Sequence, residues 1–193
     1  MSKSSPAAKF PIRTLVYVGI FAALIAVCAQ IAIPMPIGVN ITLQTLAVML
    51  AGAMLGPKWG FFAALVYVLL GAVGAPVFSL MQGGLGVILG PPGGFIMSFP
   101  IMAALVGFGT KRAAACQSMV RHIWFYGGMV LSIVVNFICG MLFFMLVTGN
   151  AYYAAFFAVV VPFLPGAFLD IVAVTLLVAA VKKLPYALRF DSF

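Results

Sequence analysis

The chain carries one histidine and two acids, His122, Asp170 and Asp191, so a base, nucleophile or metal cage would have to be built from these three. They are scattered. His122 stands beside Arg121, Asp191 lies in the C-terminal tail, and Asp170 sits inside a long apolar run. Such a set supplies no acid–base pair, His-rich metal site or Walker loop. Cys28, Cys116 and Cys139 are odd in number, share no spacing and read as small apolar residues. No catalysis and no cofactor are therefore expected, and any ATP hydrolysis must come from another protein.

Asp170 is the residue with the most chemistry to explain. It precedes Lys182 by about 12 residues, or ~18 Å of helix, which places it deep in an apolar layer. A carboxylate at the centre of a membrane helix costs at least about 2.5 kcal/mol and is kept for a reason. It either meets a ligand's N–H groups, a cation or a proton, or it is a protonated acid bonded to a neighbouring helix. The neutral polar residues on the same side are Asn40, Thr42 and Gln44, Ser79 and Gln82, and Asn136. Thr42 also fits a helix cap, and Asn136 equally fits a bond between two helices. Gly93 and Gly94 open a helix whose first N–H groups would hold an anion without a lysine. Together these residues predict an apolar pocket with a few oriented polar contacts, suited to a small, partly apolar metabolite. A carrier that uses Asp170 to couple transport to protons or another cation is the rival reading.

The elements that position these residues follow from composition. With 66% hydrophobic and 6% charged residues, a water-facing surface cannot be built, so the chain reads as an all-α polytopic membrane protein. Trans-bilayer strands would alternate apolar and polar residues, whereas 15–29 and 171–181 are apolar on every side. Six transmembrane helices are predicted at 14–33, 41–56, 60–76, 94–110, 123–147 and 161–181. They form one membrane domain over 13–183, between a basic tail at 1–12 and a second tail at 184–193. All ten Lys and Arg residues fall before the first helix, after the last, or in the second and fourth connections. The positive-inside rule then places both termini in the cytosol of a bacterial or archaeal-type membrane. The formal charge of +8 is thus a topology signal rather than a nucleic-acid surface. The first run, despite a Val27-Cys28-Ala29 end like that of a signal sequence, is needed for this charge pattern and reads as retained.

Between the third and fourth helices, residues 74–94 are too rich in Gly and Pro for a continuous helix, yet apolar enough to be buried. Irregular backbone at membrane depth must line a cavity or be covered by protein, so this segment is expected to wall the pocket. On the first helix, Ala22 and Ala26 stand one turn apart. An Ala-x-x-x-Ala face of this kind either packs internally or lets a partner helix approach closely.

Several motifs, in order and spacing, resemble the BioY family, the biotin-binding S components of energy-coupling factor (ECF) transporters. They are Pro34-Met35-Pro36, Gln44-Thr45-Leu46-Ala47-Val48, Ala51-Gly52, Leu55-Gly56-Pro57, Tyr67, the run from Gly71 to Phe78, and Gly90-Pro91-Pro92-Gly93-Gly94-Phe95. The resemblance spans about residues 13 to 183. It implies a six-helix fold with both termini cytoplasmic, biotin held near the outer face, and release driven by a transmembrane T component and two cytoplasmic ATPases. It further implies docking on the T component through Ala22 and Ala26, and a pocket wall at Gly90 to Gly94. Phe78 and Phe95 are then expected along biotin's apolar chain, Asp170 at its ureido group, and Gly93, Gly94, Gln44 or Gln82 at its carboxylate. The chain departs from the family in its last helix. Many members resemble Pro-Gly-Asp-x-x-Lys there, whereas here Ala167 takes the place of the Asp and Asp170 that of the Lys. The same scaffold carrying another vitamin is the alternative that this departure leaves open.

Overall fold

The computed structural model describes residues 12–183, so both expected tails lie outside the described residues, except that Ile12 already begins the first helix. That helix, α1 (Ile12–Gln30), stops before Pro34 and Pro36, as a missing donor and a fixed φ require. The chain then turns through a short antiparallel pair, β1 (Ala32–Ile33) with β2 (Ile41–Thr42), which pairs Ala32 with Thr42 and Ile33 with Ile41. Helix α2 (Gln44–Ala72) follows at once. It is continuous only in name, because Gly56 has φ +77° and ψ −179°. The side-chain amide of Gln44 donates to the Tyr67 hydroxyl at 2.7 Å, although a straight helix would hold those residues about 34 Å apart. A Cβ at Gly60 would likewise lie 2.7 Å from the Gly52 Cα. The chain therefore doubles back at Gly56-Pro57, and α2 is two antiparallel legs, 44–55 and 57–72.

Glycines let the remaining helices close on this hairpin. In α4 (Gly93–Ala114), Gly107 meets the Gly56-Pro57 backbone and Ala103 packs on Gly52, where any side chain would overlap main-chain atoms. Gly109 and Gly128 meet in the same way between α4 and α5 (Ser118–Thr148). Small residues at such crossings bring backbones close enough for dispersion to hold them. Gly149, at φ +69°, then ends α5 by donating to the Met145 carbonyl at 2.9 Å.

The connection expected at 148–160 holds a helix of its own, and the expected last helix opens with a 3-10 turn. An eight-residue helix, α6 (Tyr152–Val159), and a 3-10 turn (Val161–Phe163) precede α7 (Leu164–Lys183). The expected fifth helix also begins five residues earlier, which puts Arg121 and His122 on α5 rather than in a connection. Residues 74–92 are irregular, as expected, apart from a 3-10 turn (Ser79–Met81) and the one-turn helix α3 (Leu85–Ile88).

Five of the described helical stretches, Gln44–Ala72 among them, are long and apolar enough to cross a membrane, so this is a multi-pass membrane protein. Its surface confirms the solvent: Val73 and Leu146 are each 82% exposed, while Ile25, Met49, Tyr67 and Val174 are fully buried. Such an apolar exterior is stable only against lipid. Lys58, Lys111, Arg112 and Arg121 are exposed, and they gather at one end. There the Gly56-Pro57 turn abuts Gly107, and Arg112 lies 6.0 Å from the Trp124 ring.

Candidate binding site

A chamber of about 290 Å³ lies at the opposite end, bounded by the β1–β2 hairpin, the start of α2, the first turns of α4, the middle of α5 and the first turns of α7. Its wall is mostly apolar and includes Val39, Phe95, Phe99, Ile133 and Phe163. Phe95 and Phe163 stack at 6.2 Å with their planes 15° apart. Its polar lining is Asn40, Thr42, Gln44, Thr45, Ser79, Asn136 and Asp170, and among the described residues no lysine, arginine or histidine lines it, which leaves Asp170 as the sole ionisable side chain among them there.

Asp170 is 7% exposed, carried by the second turn of α7. The Thr45 hydroxyl, from the first turn of α2, donates to its Oδ2 at 2.5 Å. Its other oxygen has no protein partner among the described residues. Thr14 Oγ1 is the only fully buried side-chain N or O atom there that lacks a partner, so the free Asp170 oxygen opens on the chamber. Asn136 is 2% exposed and is held by two bonds from its Nδ2, to the Phe95 carbonyl at 3.1 Å and to the Ser98 hydroxyl at 2.7 Å. Ser98 itself donates to the Phe95 carbonyl at 2.9 Å, so both partners accept from Asn136. A carbonyl only accepts, which fixes the amide's orientation. By the same reasoning as for Asp170, the Asn136 Oδ1 faces the chamber as an acceptor.

The mouth is fastened by side chains that bond to backbone. Asn40 donates to the Ser79 hydroxyl at 2.9 Å and accepts from the Met35 N–H at 3.4 Å, which ties the hairpin to the 74–92 segment. Gln30, at the end of α1, donates to the Phe78 carbonyl at 3.1 Å and accepts from the Met81 N–H at 2.9 Å. Leu80 and Met81, both at φ +58°, occupy the left-handed region inside this clasp. That conformation costs roughly 1–2 kcal/mol per non-glycine residue, which the Gln30 bonds help offset. Gln44 spends its amide on Tyr67, whose hydroxyl passes the bond on to the Val77 carbonyl at 3.2 Å. Thr42 accepts from the Gln44 N–H at 3.3 Å, a local bond made from β2, while Leu43 rather than Thr42 occupies the cap position of α2.

Of the expected ligand residues, the structure brings Asn40, Gln44, Phe95, Asn136 and Asp170 to one chamber. It does not bring Phe78, Gln82, Gly93 or Gly94 there. Phe78 is fully buried, its ring resting where a Gly71 side chain would be and meeting Tyr67 edge-on at 5.6 Å. Gln82 is exposed, with its backbone paired to Phe78. The Gly93 N–H is spent on the Gly90 carbonyl at 3.0 Å. Cβ atoms at Gly93 and Gly94 would overlap the Ile88 and Cys139 carbonyls, so both glycines serve close packing. Of the expected pocket-wall segment, only Ser79 and Pro92 line the chamber. Ala22, expected at a docking face, is 3% exposed in the core, while Ala26 is partly buried against it. The small pair of α1 that stays open is Gly19 and Ala23. Thr45, which orients Asp170, and Phe163, which completes the aromatic wall, carried no sign of their role in the sequence. A threonine one residue past Gln44 and a phenylalanine in an apolar run look like any other.

A mostly apolar chamber with one carboxylate oxygen and one amide oxygen aimed inward is built to accept hydrogen bonds from a guest with an apolar body. It holds neither a nucleophile nor a proton-relay pair. Comparison with known proteins agrees. The family model described as "BioY family" matches residues 1–186. The "Biotin transporter BioY" of Rhodobacter capsulatus is 36% identical over 182 residues, covering 89% of this chain and 94% of that protein. The "Probable biotin transporter BioY" of Pyrococcus horikoshii is 43% identical over 112 residues, 56% of this chain and 67% of that protein. The matched segment of Lactococcus lactis "Biotin transporter BioY2" is 43% identical and spans about half of each chain, 51% and 54%. In fold, the chain resembles the crystal structure of the S component for biotin from an ECF-type ABC transporter, with a TM-score of 0.77 at 23% identity, covering 93% of this chain and 96% of that one. The motifs, the helical architecture and the matches along the chain agree: it belongs to the BioY family.

Proposed function

We propose that the chain is the biotin-capturing subunit of an ECF-type transporter. The observation that carries this reading is the inward pair of acceptors, the free Asp170 oxygen and the Asn136 Oδ1, in an apolar chamber without a cation. Biotin's ureido group offers two N–H donors to that pair, and its hydrocarbon body lies along Phe95, Phe99 and Phe163. A bond to an ionised carboxylate contributes about 1.5–3 kcal/mol, and one to a neutral amide about 1 kcal/mol. The ligand carboxylate then points to the mouth. Ser79 is a donor there, since its oxygen accepts from Asn40 while its own proton is uncommitted among the described residues. This replaces the backbone donors expected at Gly93 and Gly94.

In this reading the two legs of α2 are separate spans, which gives six, with both termini and the basic end in the cytosol. The chamber then opens outward. The chain needs no cofactor and hydrolyses no ATP. Energy arrives from a transmembrane T component and two cytoplasmic ATPases, and the open Gly19 and Ala23 face of α1, beside Ala26, supports close approach of a partner helix. The membrane is the cytoplasmic membrane of a bacterium or archaeon.

A binding titration of the purified chain against biotin and a panel of other vitamins tests the reading. Biotin should bind at least about a hundredfold more tightly than any vitamin without a cyclic urea, because unmet buried acceptors are costly. Tighter binding of another vitamin would reassign the chamber, and uptake by the chain alone driven by a proton gradient would favour the secondary-carrier reading.

A further inference from the structure

A second cavity, of about 230 Å³, lies at the basic end and shares no lining residue with the first chamber. The ends of α4 and α7 and the first turns of α5 enclose it. Its walls are largely apolar, with Ala113, Phe125, Val178 and Ala179, while Arg121 supplies a permanent charge and His122 and Tyr126 complete the lining. Asp170 is the only acid among the described residues and is committed to the other chamber, so no described acid neutralises Arg121. Thr110 and Thr175 also line the cavity, but their hydroxyls donate to the Val106 and Ile171 carbonyls of their own helices, at 2.9 and 2.7 Å.

The surroundings of the cleft indicate what kind of anion fits. Ile123 and Leu176, adjacent in sequence to lining residues of α5 and α7, are 62% and 65% exposed, so these helices present an apolar surface at the level of the cleft. Arg112 lies over the Phe108 ring at 5.2 Å, and Trp124 and Tyr126 stand nearby on α5, a mixture of cations and amphipathic rings that belongs at headgroup depth. A soluble anion would satisfy the arginine and leave the apolar walls bare. An anionic lipid satisfies both. We propose that this cleft binds one anionic phospholipid, its phosphate on the Arg121 guanidinium and an acyl chain along Phe125, Val178 and Ala179. Basic pockets between membrane helices have this preference because a fixed guanidinium meets phosphate in charge-assisted, forked bonds.

Native mass spectrometry of the full chain in detergent, with phosphatidylglycerol, phosphatidylcholine or glycerol phosphate added, tests this. Phosphatidylglycerol should be retained about tenfold more tightly than phosphatidylcholine, whose phosphate is offset by its own choline cation. Arg121→Gln should abolish that preference and Arg121→Lys should keep part of it. Ala179→Phe, which fills the cleft, should release the lipid while biotin binding, measured as a check on folding, stays unchanged. Equal retention of the two lipids, no effect of Arg121→Gln, or equal competition by glycerol phosphate would overturn the proposal.

Discussion

At the scale of the residue, Asp170 works through what surrounds it. Thr45 takes one oxygen and thereby aims the other, so Thr45→Val should weaken biotin binding about three- to tenfold by leaving the carboxylate less well oriented. Asn136 both joins α4 to α5 and presents Oδ1. Asn136→Leu should therefore cost affinity and also lower the unfolding temperature in detergent, whereas Thr45→Val should act on affinity alone. The ionised Asp170 accepts the ureido N–H groups, so affinity should be lost as pH falls and the carboxylate is protonated; affinity lost as pH rises would instead set a protonated Asp170 against the ligand's carboxylate. A titration across pH 5–8 distinguishes them. Asp170 and Asn136 were legible in the sequence because a polar group within an apolar run is costly enough to need a purpose. Thr45 and Ser79 were not legible as partners, since their bonds depend on contacts 125 and 39 residues distant along the chain.

At the scale of the element, glycine governs where helices end and how closely they pack. Gly56 reverses the chain at a φ other residues avoid, so Gly56→Ala should destabilise the protein by about 1 kcal/mol, read as an earlier thermal transition. At Gly71 a methyl group would collide with the Phe78 ring, and Gly71→Ala should cost about 1–3 kcal/mol and loosen the clasp over the chamber. The proline and glycine punctuation of the sequence located the reversal at Gly56-Pro57 and an irregular segment at 74–94, although the helix before it ends at Ala72 rather than at residue 76. It did not reveal α6 in the connection 148–160, because an eight-residue apolar run is shorter than a membrane span and carries no cap to mark a helix start. Nor did it show that Phe78 faces the core, since an aromatic residue in a glycine-rich segment fits a core site and a ligand wall equally well.

At the scale of the whole molecule, charge and apolar length made the membrane class readable, while inward and outward faces of each helix were not. Ala22 is the clearest case: spacing along α1 placed it with Ala26 on a small face, but only packing against the hairpin shows that this face turns inward. Ala23→Trp should therefore block copurification with a T component and leave biotin binding intact, whereas Ala22→Trp should lower stability first. In cysteine-replaced protein in intact cells, an impermeant maleimide should label Leu85→Cys and spare Lys58→Cys; the reverse pattern would invert the orientation. The account rests most heavily on one carboxylate oxygen left open to the guest. Calorimetric titration of biotin into the purified chain and into Asp170→Ala should show one site per chain, weakened at least about tenfold by the substitution. Undiminished affinity in Asp170→Ala would contradict the account.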